Sequence, residues 1–248
     1  MAPMPGKTAH NLPHDPFKAC VVPRPIGWIS TTSRVKPGEA AQHNLAPYSQ
    51  FNNLTFDPPY VMFSANQTPD QDRKDSVKNA EQTGKFCWNL ATWKLRDKVN
   101  ITAEQVPYGV DEFERAGLSK SFSTKLPGDE AGNAVPMVAE SPVRFECVYH
   151  STVRLPGNGP MGSVDIVIGR VVGVHIADEV LTDGKLDIRK TEPIARCGYY
   201  EYTVVRETFD MVIPGMNEAT LAGLEGSTKR HKALRPSPAP ESSVRNPP

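Results

Sequence analysis

The chain offers little for metal or redox chemistry at cysteine. Its four cysteines, Cys20, Cys87, Cys147 and Cys197, are far apart, with no CxxC and no Cys/His cluster at zinc spacing. Cys87 and Cys147 sit among apolar neighbours in strand-like segments, the setting of buried reduced thiols. No stretch approaches the roughly 20 apolar residues that span a bilayer. Residues 1–16 lack the apolar run of a signal peptide and the Arg-rich, acid-poor pattern of a transit peptide. A cytoplasmic protein with no membrane partner is the expectation. Charge of one sign is missing too: 28 Lys+Arg against 28 Asp+Glu leave a formal net charge of zero, which argues against nucleic acid or an anionic membrane as partner. A local anion site does not need global charge.

Proline, by contrast, is abundant: 24 residues in 248, roughly twice average usage. Scattered between short apolar runs, it argues for brief strands and turns over long helices. Residues 17–22 form an apolar segment that ends in Pro23-Arg24-Pro25 and reads as extended. Residues 26–32, β-branched and aromatic, read as a strand, and Pro37-Gly38 marks a turn over 34–42. Residues 60–65 (YVMFSA) form another strand. Residues 74–83 read as a helix, with Asp72, Asp75 and Ser76 available as caps and Gly84 at the C-cap. Residues 85–91 alternate, with Phe86, Trp88 and Leu90 on one face. A second helix is expected over 93–105 and a short third over 111–116. Residues 120–142 are rich in turns, and 193–208 hold the last ordered segments, ending in a strand over 203–208. Irregular spacing of many strands and few helices excludes a doubly wound sheet. It fits a closed or partly closed β-barrel with peripheral helices.

One motif misleads. Gly157-Asn158-Gly159-Pro160-Met161-Gly162 matches GxGxxG, but a dinucleotide fingerprint must open a helix. Here the following residues, 163–177, form another β-type run, so the motif reads as the turn of a long hairpin with 143–155.

The chemistry concentrates elsewhere. The stretch 24–53 closes on Asn44, Ala46, Pro47, Tyr48, Ser49, Phe51 and Asn52. Hydroxyls and amides mixed with aromatics are poor core material but suit a pocket for a flat polar ligand. Its NLAPYSQFNN run alternates too irregularly for a simple strand. The helix start near Lys74 presents free N–H groups, with Arg73, Lys74 and the Ser76 hydroxyl beside it, and suits a phosphate as well as it suits an ordinary cap.

RPIGWIST, NLAPYSQFN, DPPYVMFSAN and RKDSVKNAEQTGKFCWNLAT, in that order, resemble the successive motifs of the flavin reductase-like, FMN-binding split-barrel family. VIGRVVGVHIADEVL and ARCGYYEY are similar to its C-terminal half. The resemblance covers about 17–214 and implies a mainly β, Greek-key split β-barrel, usually a homodimer, that holds FMN non-covalently. A domain over 17–215 follows, between a loosely held segment 1–16 and a disordered tail 216–248. The resemblance implies flavin contacts at Ser30, Thr31 and Thr32, and at Asn44, Ala46, Pro47, Ser49 and Asn52 along the ring and ribityl chain. Ser64, Lys74, Asp75 and Ser76 would surround the ribityl-phosphate end. Ser76 stands where many members carry Thr, which keeps the hydroxyl. His175 is the catalytic candidate, either a satisfied strand histidine or a contact to nicotinamide or substrate. The activity implied is an NAD(P)H-dependent FMN reductase, with NADH or NADPH as donor and a separate flavin-dependent monooxygenase as a partner. The alternative is an FMN-binding electron-transfer protein without nicotinamide turnover.

Overall fold

The apolar runs pair into one seven-stranded antiparallel sheet that curls into a Greek-key split β-barrel. The computed structural model describes residues 12–33, 40–126, 134–159, 161–217 and 220–221. Two compact units divide the chain, with the break between Thr208 and Phe209, and every element below lies in the first. In chain order these are a one-turn helix α1 (Phe17–Cys20), strands β1 (Arg24–Pro25), β2 (Gly27–Thr32), β3 (His43–Tyr48), β4 (Phe51–Phe56) and β5 (Pro59–Asn66), helix α2 (Asp75–Thr83) and strand β6 (Lys85–Asn89). A 3-10 turn at Trp93–Leu95 leads into α3 (Arg96–Ile101). Then come α4 (Glu112–Arg115), the short strands β7 (Lys120–Phe122) and β8 (Pro136–Val138), and the long strands β9 (Val143–Leu155) and β10 (Val164–Ile176). The unit ends with β11 (Leu181–Thr182), β12 (Lys185–Leu186), α5 (Ile188–Thr191), β13 (Ile194–Arg196) and β14 (Tyr202–Val204).

The large sheet runs β3-β2-β6-β9-β10-β5-β4, so strands β3 and β4, adjacent in sequence, form its two edges. Strand β2 is buried along its whole length because its two faces serve different cores. Ile29 packs with Phe63, Phe86, Val167 and the α2 residues Val77 and Ala80. Trp28, on the other face, packs with Leu45, Leu95, Val99 and Phe113. Full burial of such side chains contributes about 1.5–3 kcal/mol each. A Cβ built on Gly169 would come within 2.4 Å of the Phe86 ring, so β10 needs glycine there to cross the core. Paired β9 and β10 form the long hairpin, and the GxGxxG letters fall in its connection.

Several local expectations are corrected. Residues 17–20 are helical instead of extended: Asp15 Oδ1 accepts the Phe17 N–H at 2.9 Å and caps the turn. The NLAPYSQFNN run is two successive strands that do not pair with each other: β3 pairs with β2 and β4 with β5, and Pro47 is tolerated because β3 is an edge strand. Helix α2 has Lys74 at its N-cap with no side-chain cap, whereas Gly84 does close it in the left-handed conformation, φ 75°. The expected helix over 93–105 stops at Ile101, where Trp28 Nε1 donates to Thr102 Oγ1 at 2.9 Å and fixes the chain as it leaves α3. The last strand ends at Val204, short of 208. The turn expected around Pro37-Gly38, most of the segment 1–16 and nearly all of the tail 216–248 lie outside the described residues.

Candidate functional site

Strand β3, the start of α2 and the segment 102–108 enclose a cavity of about 540 Å³. That is a size typical of small-molecule sites. Helix α2 is laid across β2 and β3 by two hydrogen bonds from side-chain amides: Asn79 Nδ2 donates to Thr31 Oγ1 at 3.1 Å, and Asn44 Nδ2 donates to Ser76 Oγ at 2.8 Å. The Val77 and Lys78 N–H groups donate to the Lys74 carbonyl, which leaves the Asp75 and Ser76 N–H groups without an intrahelical acceptor, and the helix start opens onto this cavity beside Lys74. Ala46, Pro47, Val106 and Pro107 supply apolar wall, and Tyr108 stands 60% exposed on the lining.

The charges are unevenly engaged. Arg73 forms a bidentate pair with Glu81, both bonds 2.7 Å, and its Nε donates to buried Asp165 at 2.9 Å. Lys78 is 2.5 Å from Asp72. The half-buried Lys74 ammonium makes no ion pair or hydrogen bond among the described residues, and burial pulls its pKa below the usual lysine value despite the nearby Asp75. Burial pushes the Asp75 carboxyl up, against the opposing charge of Lys78. Burial also pushes the Tyr48 hydroxyl up, partly offset by its hydrogen bond with Ser76. An unpaired amine beside a helix start, with amide and apolar walls, is an arrangement that accommodates a planar ligand with an anionic tail.

The residues implied by resemblance divide into three groups. Asn44, Ala46, Pro47, Lys74 and Asp75 line the cavity, and Ser76 is bonded directly to Asn44 behind it. Thr31 is held under α2, whereas Ser30, on the opposite face of β2, accepts from Asn89 Nδ2 at 3.2 Å. Thr32 Oγ1 is buried with no hydrogen-bond partner among the described residues. Ser49 lies in the β3–β4 turn; Asn52 and Ser64 lie on β4 and β5, on the face turned away from buried Phe63, and do not line the cavity. Glu112 does line it and was given no role by its sequence, since DEFER reads as an ordinary acidic helix start.

His175 is not on the cavity either. Its Nε2 lies 2.6 Å from Glu146 Oε1, and the fully buried Glu146 carboxylate also accepts the Thr124 and Lys125 N–H groups. Burial pushes the Glu146 carboxyl up, but the Lys125 N–H, His175 and the Thr124 N–H outweigh it and leave the pKa below the usual value. A depressed folded-state pKa contributes stability above the unfolded-state value and loses it as pH falls through the folded one. Glu146→Gln is therefore expected to cost about 1–3 kcal/mol near pH 7. The difference from wild type should shrink as acid titrates the native carboxylate, as urea unfolding at several pH values will read. An equal loss at neutral and strongly acid pH would remove the carboxylate from that role.

A family model described as flavin reductase like domain matches residues 19–192. An uncharacterized protein, BH2278, of Halalkalibacterium halodurans is 32% identical over 198 residues, covering 80% of this chain and 89% of its own. Among solved structures, nitrilotriacetate monooxygenase component B from Bacillus cereus is similar at 28% identity and a TM-score of 0.67, over 82% of this chain and 100% of that one. A split barrel domain protein from Shewanella frigidimarina, at 21% identity and TM-score 0.63 over 79% and 89%, is alike in fold. With the family model covering most of the first unit and its strand order that of a split barrel, the chain belongs to the flavin reductase-like domain family.

Proposed function

We propose that the chain is an FMN-binding oxidoreductase that reduces FMN with a hydride from NADH or NADPH. The observation that carries this reading is Lys74, a half-buried ammonium group with no ion pair among the described residues, set at the start of α2 on a cavity of about 540 Å³. In this reading Lys74 and the first N–H groups of α2 hold the phosphate. Asn44 and Ser76, bonded to each other, keep the helix start in register with β3 and so fix the distance from phosphate to ring. Ala46 and Pro47 give the ring an apolar wall, and the 102–108 segment limits water on the other side. FMN, when bound, supplies the hydride-accepting chemistry; the protein supplies binding, orientation and electrostatics. No side chain is required to remove a proton for that transfer, which suits a cavity without a nucleophile–base pair.

Edge strand β4 exposes Leu54 and Phe56, and we read that face, with Asn52, as the contact of a homodimer. Likeness to a monooxygenase component supports a second protein, a flavin-dependent monooxygenase, as consumer of the reduced flavin. Steady-state oxidation of NADH and NADPH with added FMN tests the enzymatic reading. Turnover with one donor is expected. FMN binding without turnover by either donor would instead make the chain an FMN-dependent electron carrier.

A further inference from the structure

The cavity that Lys74 faces carries more acid than its proposed ligand should tolerate. Asp70, Asp72, Asp75, Glu104 and Glu112 all line it. Asp72 is engaged by Lys78, and Glu104 is paired with Arg115. Asp75 lies 3.9 Å from Lys78 Nζ. Glu112 is different: it is 7% exposed, and no cation pairs with it among the described residues. One oxygen, Oε2, accepts the Leu45 N–H of β3 at 3.0 Å, which fixes the carboxyl group against the strand that also carries Asn44, Ala46 and Pro47.

We propose that Glu112 is a ligand-facing residue of this cavity, and that its carboxyl group is protonated in the complex and donates a hydrogen bond to the planar, phosphate-bearing ligand. The proposal rests on the reading of the cavity as an FMN site. Its balance is simple: one proton passes from solvent to the Glu112 carboxylate as ligand enters, with no bond to the ligand made or broken. A carboxylate is acceptor-only, whereas the neutral acid adds a donor; in that form it can meet a carbonyl or ring nitrogen.

The electrostatics point the same way. Burial, with the charges of Asp111 and Asp75, pushes the Glu112 carboxyl up to about 6, against the Leu45 N–H and its own backbone N–H. Around it stand Asp111 at the α4 cap, Asp75 of α2 and Tyr48 of β3, and the same cavity is lined by Asp70, Asp72, Arg73, Lys74, Lys78 and Glu104. Lys120 is engaged by Asp111, and His43 Nδ1 lies 3.8 Å from the same carboxylate. Burial and Lys120 lower the His43 pKa, which favours the neutral ring. A phosphate anchored at Lys74 brings further negative charge into the enclosure and favours the neutral acid. The phosphate's own second ionisation, near pH 6, has the opposite sign: a nearby ammonium favours the dianion and releases a proton. The direction of proton exchange therefore separates the two.

Calorimetric titration of the full chain with FMN, in two buffers of different ionisation enthalpy at pH 7, counts protons exchanged. Net uptake is expected for wild type, with affinity weakening as pH rises from 6 to 8, at most about tenfold per unit for one linked proton. Glu112→Gln keeps a donor amide and should bind FMN without uptake and with a flatter pH profile. Proton release by wild type, or the same uptake by wild type and Glu112→Gln, overturns the proposal; the first needs no variant to fold. A folded wild-type protein that binds neither FMN nor riboflavin at any pH overturns the cofactor reading itself, a separate failure.

Discussion

Lys74→Ala is expected to weaken FMN binding by about 10- to 100-fold, the cost of losing a charge-assisted bond of roughly 1.5–3 kcal/mol. Riboflavin, which lacks the phosphate, should bind wild type and variant with nearly equal affinity. The contrast matters more than the loss. Lys74 is half-buried and unpaired among the described residues, so its removal strands no protein charge, and the effect should appear in binding and not in stability. Fluorescence titration with both flavins measures it. Equal weakening of FMN and riboflavin would take Lys74 out of the phosphate site.

Arg73→Met should do the reverse. Its guanidinium bridges Glu81 on α2 and Asp165 on β10, and Asp165 is only 2% exposed. Removing it leaves a buried carboxylate whose remaining cation, Arg154, is 4.0 Å from Oδ1. Breaking a buried pair from one side costs about 3–5 kcal/mol, and since Arg73 and Glu81 are about a quarter exposed the lower end is expected. The urea midpoint should fall with little change in slope. The folded variant should still prefer FMN to riboflavin by nearly the wild-type ratio. A normal midpoint with lost FMN preference would move the phosphate contact from Lys74 to Arg73.

The different fates of these adjacent cations mark the limit of what was legible in the sequence. RK beside a helix start announces positive charge, but the partners that occupy Arg73 lie 8 and 92 positions away. Long-range pairing of that kind has no local signature. The long hairpin was legible, because the runs on both sides of the GxGxxG letters are β-type and a phosphate loop needs a helix after it. Alternation in 85–91 located β6 but not its complete burial, which requires α2 on one side and β8 on the other. The strand β3 was obscured by Pro47, which only an edge position excuses. Of the candidate site, the residues on β3 and the first turn of α2 converge on one cavity, because Asn44 ties β3 to α2 while Asn79 holds the helix to neighbouring β2. Asn52 and Ser64 are placed by strand register and Ser49 by the turn between β3 and β4, neither of which a motif encodes. Glu112 was invisible because its significance is its burial against Leu45, not its neighbours in sequence.

In the proposed function FMN sits in the cavity beside Lys74. The direct measurement is the visible spectrum of the purified protein after incubation with FMN and removal of free flavin by desalting. Flavin is expected to co-migrate with the protein, with absorption bands shifted from those of free FMN, and to be lost from Lys74→Ala under the same treatment. A colourless protein that retains no added FMN, with a mixture spectrum equal to the sum of its parts, would contradict it.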